Sequence, residues 1–285
     1  MRVYRFRGDT LAITDVANGR LNLYSLDGQF GRTVSMTASE RFGRPGVFGH
    51  FEADGWFAIA AVGSGILRGA PGERVEMDHA YLAIPVNGEP KVLAVVNDRP
   101  RVVNELGGVT HYPYVPLTPG PSAAVDGKSL LVAHGAEAEV RRINLAGEIT
   151  AIYRWEMPAR PVSEIWDRFQ DAYLADIDDE NDRRRYARFL ERDLPIPKTV
   201  PAVESVAVDR LGNIWVLRYT LPWEREATWD VLSPEGRWLA TIAIPASFNV
   251  LEFGRDRVLV REVDDLGIER VSQYRLHRDS LPIKR

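Results

Sequence analysis

The chain contains no cysteine. Disulfides, thiol nucleophiles and Cys-ligated zinc or iron–sulfur centres are therefore excluded, although this does not set a cellular compartment. Long apolar runs are also missing. No stretch approaches the roughly 18–20 residues that a membrane-spanning helix needs, so no membrane span is expected. The opening text, "MRVYRFRGDTLAITD", has no apolar segment of the kind a signal peptide carries. Nor is there an excess of basic residues. Lys and Arg number 36 against 40 Asp and Glu, a net charge of −4, and no nucleic-acid footprint is expected from such a balance. Histidine is scarce: His50, His79, His111, His134 and His277 are all there are, and none stands in an H-x-H or H-E-x-x-H spacing. No G-x-S-x-G elbow exists for a serine hydrolase. What remains is a globular composition, 45% hydrophobic and 27% charged over 285 residues, ample for a large core.

Strand-like text fills most of the chain, and it repeats. A turn glycine closes "LNLYSLDG" at Gly28, "YLAIPVNG" at Gly88, "VRRINLAG" at Gly147 and "WDVLSPEG" at Gly236. Seven residues before each stands Leu21, Tyr81, Val140 or Trp229; four before stands Tyr24, Ile84, Ile143 or Leu232. "VSQYRLHR" keeps this spacing with Val271 and Tyr274 but lacks the glycine. Glycine at that place fits a hairpin turn that needs positive φ. A preceding hairpin recurs as "RGDTLAIT", "ADGWFAIA", "VDGKSLLVA", "DRLGNIWVL" and "GRDRVLVRE", each a polar turn followed by an apolar strand. The unit is four antiparallel strands, found five times: 1–36, 46–97, 121–157, 203–245 and 249–285, with 158–202 inserted. Four-strand modules repeated at tens of residues predict a single all-β domain, a β-propeller. In the last unit Pro282 weakens any fourth strand over 279–284.

Loop lengths then predict where function sits. Turns between the first and second, and the third and fourth, strands of a unit are tight. The long connections are all of the other two kinds: 62–78, 218–228, 37–46, 97–120 and 157–202. In a propeller these lie on one face, and long loops in a compact domain carry function or mobility. The largest, about 163–191, reads as helical. Ser163 is positioned to cap it, and Ile165, Phe169, Tyr173 and Ile177 form an apolar stripe. A second short helix, about 181–191, offers Tyr186, Phe189 and Leu190. On the same face, "VTHYPYVP" groups His111, Tyr112 and Tyr114, and the fourth unit's loop carries Arg218, Tyr219 and Trp223. These six are the candidate ligand-binding residues, with packing between blades as the competing role. The expected partner is a protein, peptide or carbohydrate on this face, with no cofactor. An incomplete ring would expose blade edges, so the chain is expected to be a monomer or a dimer through such edges.

The stretches "DRLGNIWV", "WDVLSPEGR", "IAIP" and "DDLGIERVSQYRL" resemble the bacterial six-bladed β-propeller proteins, related in shape to NHL-repeat and TolB-like propellers. The resemblance covers most of the chain and is strongest over 203–276. It implies a sixth blade and an export signal upstream. Neither is visible in the five units, which favours a shortened start over a true five-bladed ring. It also implies an alternative activity. Gluconolactonase-like relatives hold calcium or zinc at the pore mouth with a Glu, Asn and Asp set, and Glu204, Asn18 and Asp15 are the residues that such a metal-dependent hydrolase or lactonase would use here.

Overall fold

The structure, a computed structural model, describes residues 2–6 (backbone only), 10–15, 18–36, 41–43, 45–51, 55–62, 67–85, 89–106, 108–192, 194–264 and 266–278. Blade 1 is built from β1 (Arg2–Phe6), β2 (Thr10–Asp15), β3 (Arg20–Ser25) and β4 (Phe30–Ser35), paired antiparallel in that order. Blade 2 takes β5 (Gly46–Phe51) and β6 (Gly55–Ala61). After an outlying β7 (Arg74–Val75) it continues with β8 (Asp78–Pro85) and β9 (Lys91–Asn97). The short strands β10 (Arg101–Val102), β11 (Asn104–Leu106) and β12 (Val109–His111) follow. Blade 3 is β13 (Ser122–Val125), β14 (Ser129–Ala133), β15 (Glu139–Asn144) and β16 (Ile149–Arg154). Next come a 3₁₀ turn at Val162–Glu164, α1 (Trp166–Ala175) and α2 (Glu180–Leu190). Blade 4 is β17 (Val203–Val208), β18 (Ile214–Arg218), β19 (Glu226–Leu232) and β20 (Trp238–Pro245). Blade 5 has β21 (Asn249–Phe253), β22 (Arg257–Val263) and β23 (Glu269–Arg275).

The blades are cemented by the second strand of each sheet. Successive side chains on a strand point to opposite faces, and in the inner blades both faces are covered. On β18, Ile214 and Val216 pack against blade 3 while Trp215 packs against blade 5. On β14, Leu131 and Ala133 face blade 4, and Leu130 and Val132 face blade 2. On β6, Trp56, Ala58 and Ala60 face blade 1, and Phe57 faces blade 3. Four apolar cores thus join the five blades in chain order, which is why these strands read as unbroken apolar runs. Among the described residues, no core cluster contains residues of both blade 5 and blade 1. The outer side of blade 5 leaves Leu251, Val263 and Val271 exposed.

The blade count corrects the resemblance: the described residues build five blades, not six. Among the described residues, the inter-blade cores join blades 1 to 5 in chain order, with no further blade between consecutive ones. The predicted hairpin glycines behave as expected at Gly28, Gly147 and Gly236, with φ of +86°, +81° and +89°; Gly88 lies outside the described residues. The Gly147 and Gly236 turns also dock on the preceding blade, against Val92 and Tyr153. Tyr153 on β16 donates its hydroxyl proton to the Pro234 carbonyl beside Gly236 (2.7 Å). Blade 5 has three strands among the described residues, and the weak fourth strand expected over 279–284 falls outside them. Among the described residues, no helix is long and apolar enough to cross a membrane.

The insertion-bearing face is more ordered than loop lengths suggest. The 97–120 connection is an antiparallel ribbon: Arg101 bridges Tyr114, the Val102 amide donates to the Pro113 carbonyl (3.0 Å), and Asn104 pairs with His111. β7, from the 62–78 connection, adds to this ribbon through β10. The two helices lie across it. Phe189 and Leu190 of α2 pack on Val102 and Val115, while Phe169 of α1 packs with Leu117, Val200 and Leu221. Asp179 caps α2 by accepting from the Asn181 and Asp182 amides. Ser163 does not cap α1 as expected. It sits in the 3₁₀ turn, and the N-cap position of α1 falls on Ile165, without a side-chain cap. The ribbon, blade 3 and blade 4 meet at Gly135, whose φ is +89° and where a Cβ would come 2.8 Å from the Val203 carbonyl and 2.9 Å from that of Gly120. Backbone on both sides leaves nothing to yield. Gly135→Ala should therefore lower stability by about 1–3 kcal/mol, read as a fall in the thermal midpoint. An unchanged melt would mean that this junction is loose.

Candidate functional site

The insertion-bearing face carries a cleft of about 640 Å³ beside blade 4, lined by Arg160, Arg218, Tyr219, Thr220, Glu224 and Arg225 among others. The loop after β18 forms it, and the loop is braced at both ends. Glu204, at the start of β17, accepts from the Thr220 amide (3.0 Å). Glu224 accepts from the Leu221 amide (2.7 Å) and pairs with Arg160 (3.1 Å), and Arg160 also donates to the Tyr219 carbonyl. Arg218 makes a bidentate pair, 2.8 Å on each arm, with Asp230, whose side chain is fully buried. That hydrogen-bonded partner pushes the guanidinium further up from its ordinary value. Burial raises the Tyr219 hydroxyl, and the negative charge of Glu204 adds to the effect. Arg225 is exposed, and among the described residues it has no ion-pair partner.

The other predicted residues separate. His111 and Tyr112 line a smaller pocket of about 220 Å³ with Asn104, Pro113 and three α2 residues, Arg185, Tyr186 and Phe189. Tyr112 donates its hydroxyl proton to the Leu67 carbonyl (3.0 Å). Tyr114 belongs to neither cavity. The guanidiniums of Arg99 and Arg101 lie 4.5 and 4.1 Å from its ring centroid, and its hydroxyl bonds Arg101 and Asp98. Burial first, then Asp98, raises its pKa. Trp223 is covered by Arg168 of α1 at 4.4 Å and packs into the core beneath that helix. Sequence reasoning thus found Arg218 and Tyr219 for the cleft, and His111 and Tyr112 for the pocket. It missed Arg160, Arg225 and Asn104 as lining residues. Arg160 and Asn104 stand in text with no motif of their own. Arg225 lies within the 218–228 loop, but Glu224 and Glu226 flank it there, so the sequence carries no signal that it is unpaired.

For the metal reading, Asp15 accepts from the Asn18 amide (3.2 Å) and side chain (2.8 Å) and pairs with Arg20 (2.9 Å). Those hydrogen bonds, chiefly that of the Asn18 side chain, hold its carboxyl below the ordinary value. Arg20 therefore supplies positive charge where a divalent ion would need Asp15, and the Asn18 amide is turned to that carboxylate. This arrangement does not fit an ion shared with Glu204. Among the described residues no group of three His, Asp or Glu side chains able to hold a metal converges, and His79, His111 and His134 form no such group.

No protein-family model matches the chain, and no curated protein does. Solved structures align along nearly its whole length at low identity. A member of the DUF4221 family from Bacteroides vulgatus is 11% identical, covering 94% of this chain and 76% of its own, with a TM-score of 0.42. The catalytically inactive virginiamycin B lyase of Staphylococcus aureus, solved with quinupristin, is 10% identical over 98% of this chain and 84% of its own, with a TM-score of 0.37. An exported protein of Bacteroides fragilis is 10% identical over 91% and 78%, at 0.35. Likeness at this level carries no argument about chemistry, so the functional reading rests on the five-bladed propeller and on the two cavities of its insertion-bearing face.

Proposed function

We propose that the protein is a binding propeller, acting without catalysis, whose insertion-bearing face receives a protein, peptide or carbohydrate ligand. The open cleft beside blade 4 carries this reading. It is of the size of a ligand site. Arg160 is held by Glu224, and Arg218 by Asp230. Those pairs make a stiff frame, so little ordering is left for binding to impose. Arg225 and the Tyr219–Thr220 segment are the groups that a ligand would meet. The bracing costs the site reactive groups but gives it shape.

The test is an array of peptides and glycans probed with the intact chain, followed by titration of the strongest hit. Arg225→Glu should weaken that hit by about tenfold or more. Its melting midpoint should stay put, because an exposed, unpaired side chain contributes within about 0.5 kcal/mol. Undiminished binding by Arg225→Glu would remove the cleft from the account. A parallel melt with a chelator separates the metal reading: a drop restored by calcium or zinc would move the assignment to a metal-dependent hydrolase using Glu204.

A further inference from the structure

We infer that the groove between the outer strand of blade 2 and the flank of blade 3 is a docking site for an extended peptide, which joins blade 2 as a further strand. The site is separate from the cleft beside blade 4 and does not depend on it. The cavity measures about 530 Å³, and its wall includes Leu93, Ala94, Val95, Val96 and Asn97, successive residues of β9. Successive side chains on a strand point to opposite faces, so a cavity that touches all of them runs along the strand's edge rather than over one face. β9 pairs only with β8 and ends its sheet.

The ladder fixes which backbone groups meet that edge. The Asp78 carbonyl accepts from the Val62 amide, on the β6 side (2.8 Å), so the opposed pair Asp78 and Asn97 turn their backbone groups away from each other. The Asp98 amide, one residue on, points the other way and donates to the Met77 carbonyl (2.8 Å). By the same alternation Ala94 and Val96 bond β8, while Val95 and Asn97 hold their N–H and C=O groups out to the groove. Both residues are exposed, and among the described residues neither has a backbone partner on that side. Past the bulge at Leu93, residues 94–97 carry neither charge nor proline, two of the devices that keep an edge strand from pairing.

A single extended segment is the occupant that fits. The facing wall is blade 3, with Val132, Ile143 and Ile149, and the turn at Gly147 abuts the Val92 and Leu93 carbonyls and closes that end. A slot bounded by another blade and a turn takes one strand, not the sheet of a second copy. Ala94 and Val96 pack into the core shared with blade 3, so every second side chain of an added strand would meet the apolar wall, and alternate apolar residues are called for. Charge is set at the open end, where β9 finishes and the β14–β15 loop begins. Glu139 is paired with Arg141 and Arg154. Glu137 lines the same groove, is exposed and has no ion-pair partner among the described residues. The matching peptide therefore alternates apolar residues and brings a Lys or Arg to the Asn97 end.

The experiment selects phage-displayed random heptapeptides on the full chain carrying Arg225→Glu, which keeps binders of the blade 4 cleft out. The strongest binder is then made synthetically and titrated against wild type. It should alternate apolar residues and carry a Lys or Arg at one end. At saturation it should slow hydrogen exchange at the Val95 and Asn97 amides about tenfold or more, while Ala94 and Val96, already bonded to β8, change little. Val95→Pro removes an N–H that the ladder does not use, a position where proline is tolerated, and should weaken binding about tenfold or more. Glu137→Lys should weaken it as well. Should Val95→Pro fail to fold, N-methylation of the peptide carries the same test: methyls on the alternate amides that face β9 block binding, and methyls on the intervening ones do not. Absence of any binder, binders without the alternation, unchanged exchange at Val95 and Asn97, or binding indifferent to Glu137→Lys or to the position of the methyls would each overturn the assignment.

Discussion

Asp209→Ala should cost about 3–5 kcal/mol of stability, the range for removing one partner of a buried charged network. For a chain of this size that is on the order of 10 °C in the melting midpoint. The Asp209 side chain is fully buried at the turn between β17 and β18. It accepts from the Leu211 and Asn213 amides, the Asn213 side chain, the Trp215 indole and Arg278, all within 3.0 Å. Arg278 in turn donates to the Gly254 and Arg255 carbonyls at the β21–β22 turn. One carboxylate therefore shapes the blade 4 turn and fastens blade 5 to it. Without it, at least three donors in a dry place lose their acceptor.

The same residue carries an acid dependence. Burial pushes the Asp209 carboxyl up, but the Trp215, Asn213 and Arg278 donors and the Leu211 amide together hold it below its ordinary value. A depressed folded pKa gives stability that is complete above the unfolded value, about 3.9, and is lost as the pH falls through the folded one. The gap in midpoint between wild type and Asp209→Asn should therefore be widest near neutrality and narrow as the pH drops below about 4. A gap constant down to acid pH, or an Asp209→Ala midpoint within about 2 °C of wild type, would show that the charge does no fastening.

Trp215→Ala is expected to cost a similar amount, about 3–5 kcal/mol, as large aromatic truncations in a core do. Trp215 is 1% exposed. Its ring stacks on Phe253 at 3.9 Å between centroids and 15° between planes, and Trp229 meets the same Phe253 edge-on at 4.9 Å. Phe253, Val258 and Val260 are the buried residues that blade 5 contributes to this core. Losing the indole empties the middle of the contact between blades. It also removes a donor to Asp209, so the two alanine changes should cost less together than the sum of each alone. Among the described residues blade 5 has a core on one side only, so it should open as a unit. Hydrogen exchange in Trp215→Ala should speed across 249–275 while β6 and β14 stay protected. Equal loss of protection in blades 2 and 3 would mean that the ring unfolds as one body and that blade 5 is no separate end piece.

Much of this architecture was legible in the chain. Strand alternation and hairpin glycines depend on two- and three-residue geometry, so "GNIWVL" and "SPEG" announce a blade without any partner. In "RVLVREV", Val258 and Val260 alternate onto the face that packs against blade 4. The helical insertion was equally plain, because an apolar stripe is a local pattern. The separation of the predicted residues was not. Tyr112 and Tyr114 are two apart and look alike in sequence, yet one lines a pocket and the other is clasped by Arg99 and Arg101.

By itself, then, the sequence determined the repeated antiparallel sheet, its five copies and the single face that bears the insertions. All of these follow from local periodicity and loop length. Only the tertiary structure decided which groups on that face are free. Asn104 meets α2 across some eighty residues of chain, Arg160 meets Glu224 across 64, and Arg278 reaches Asp209 across 69. Such encounters are set by how blades and helices stack, which no neighbouring residue encodes. A buried carboxylate looks the same as any other Asp until its surroundings are assembled.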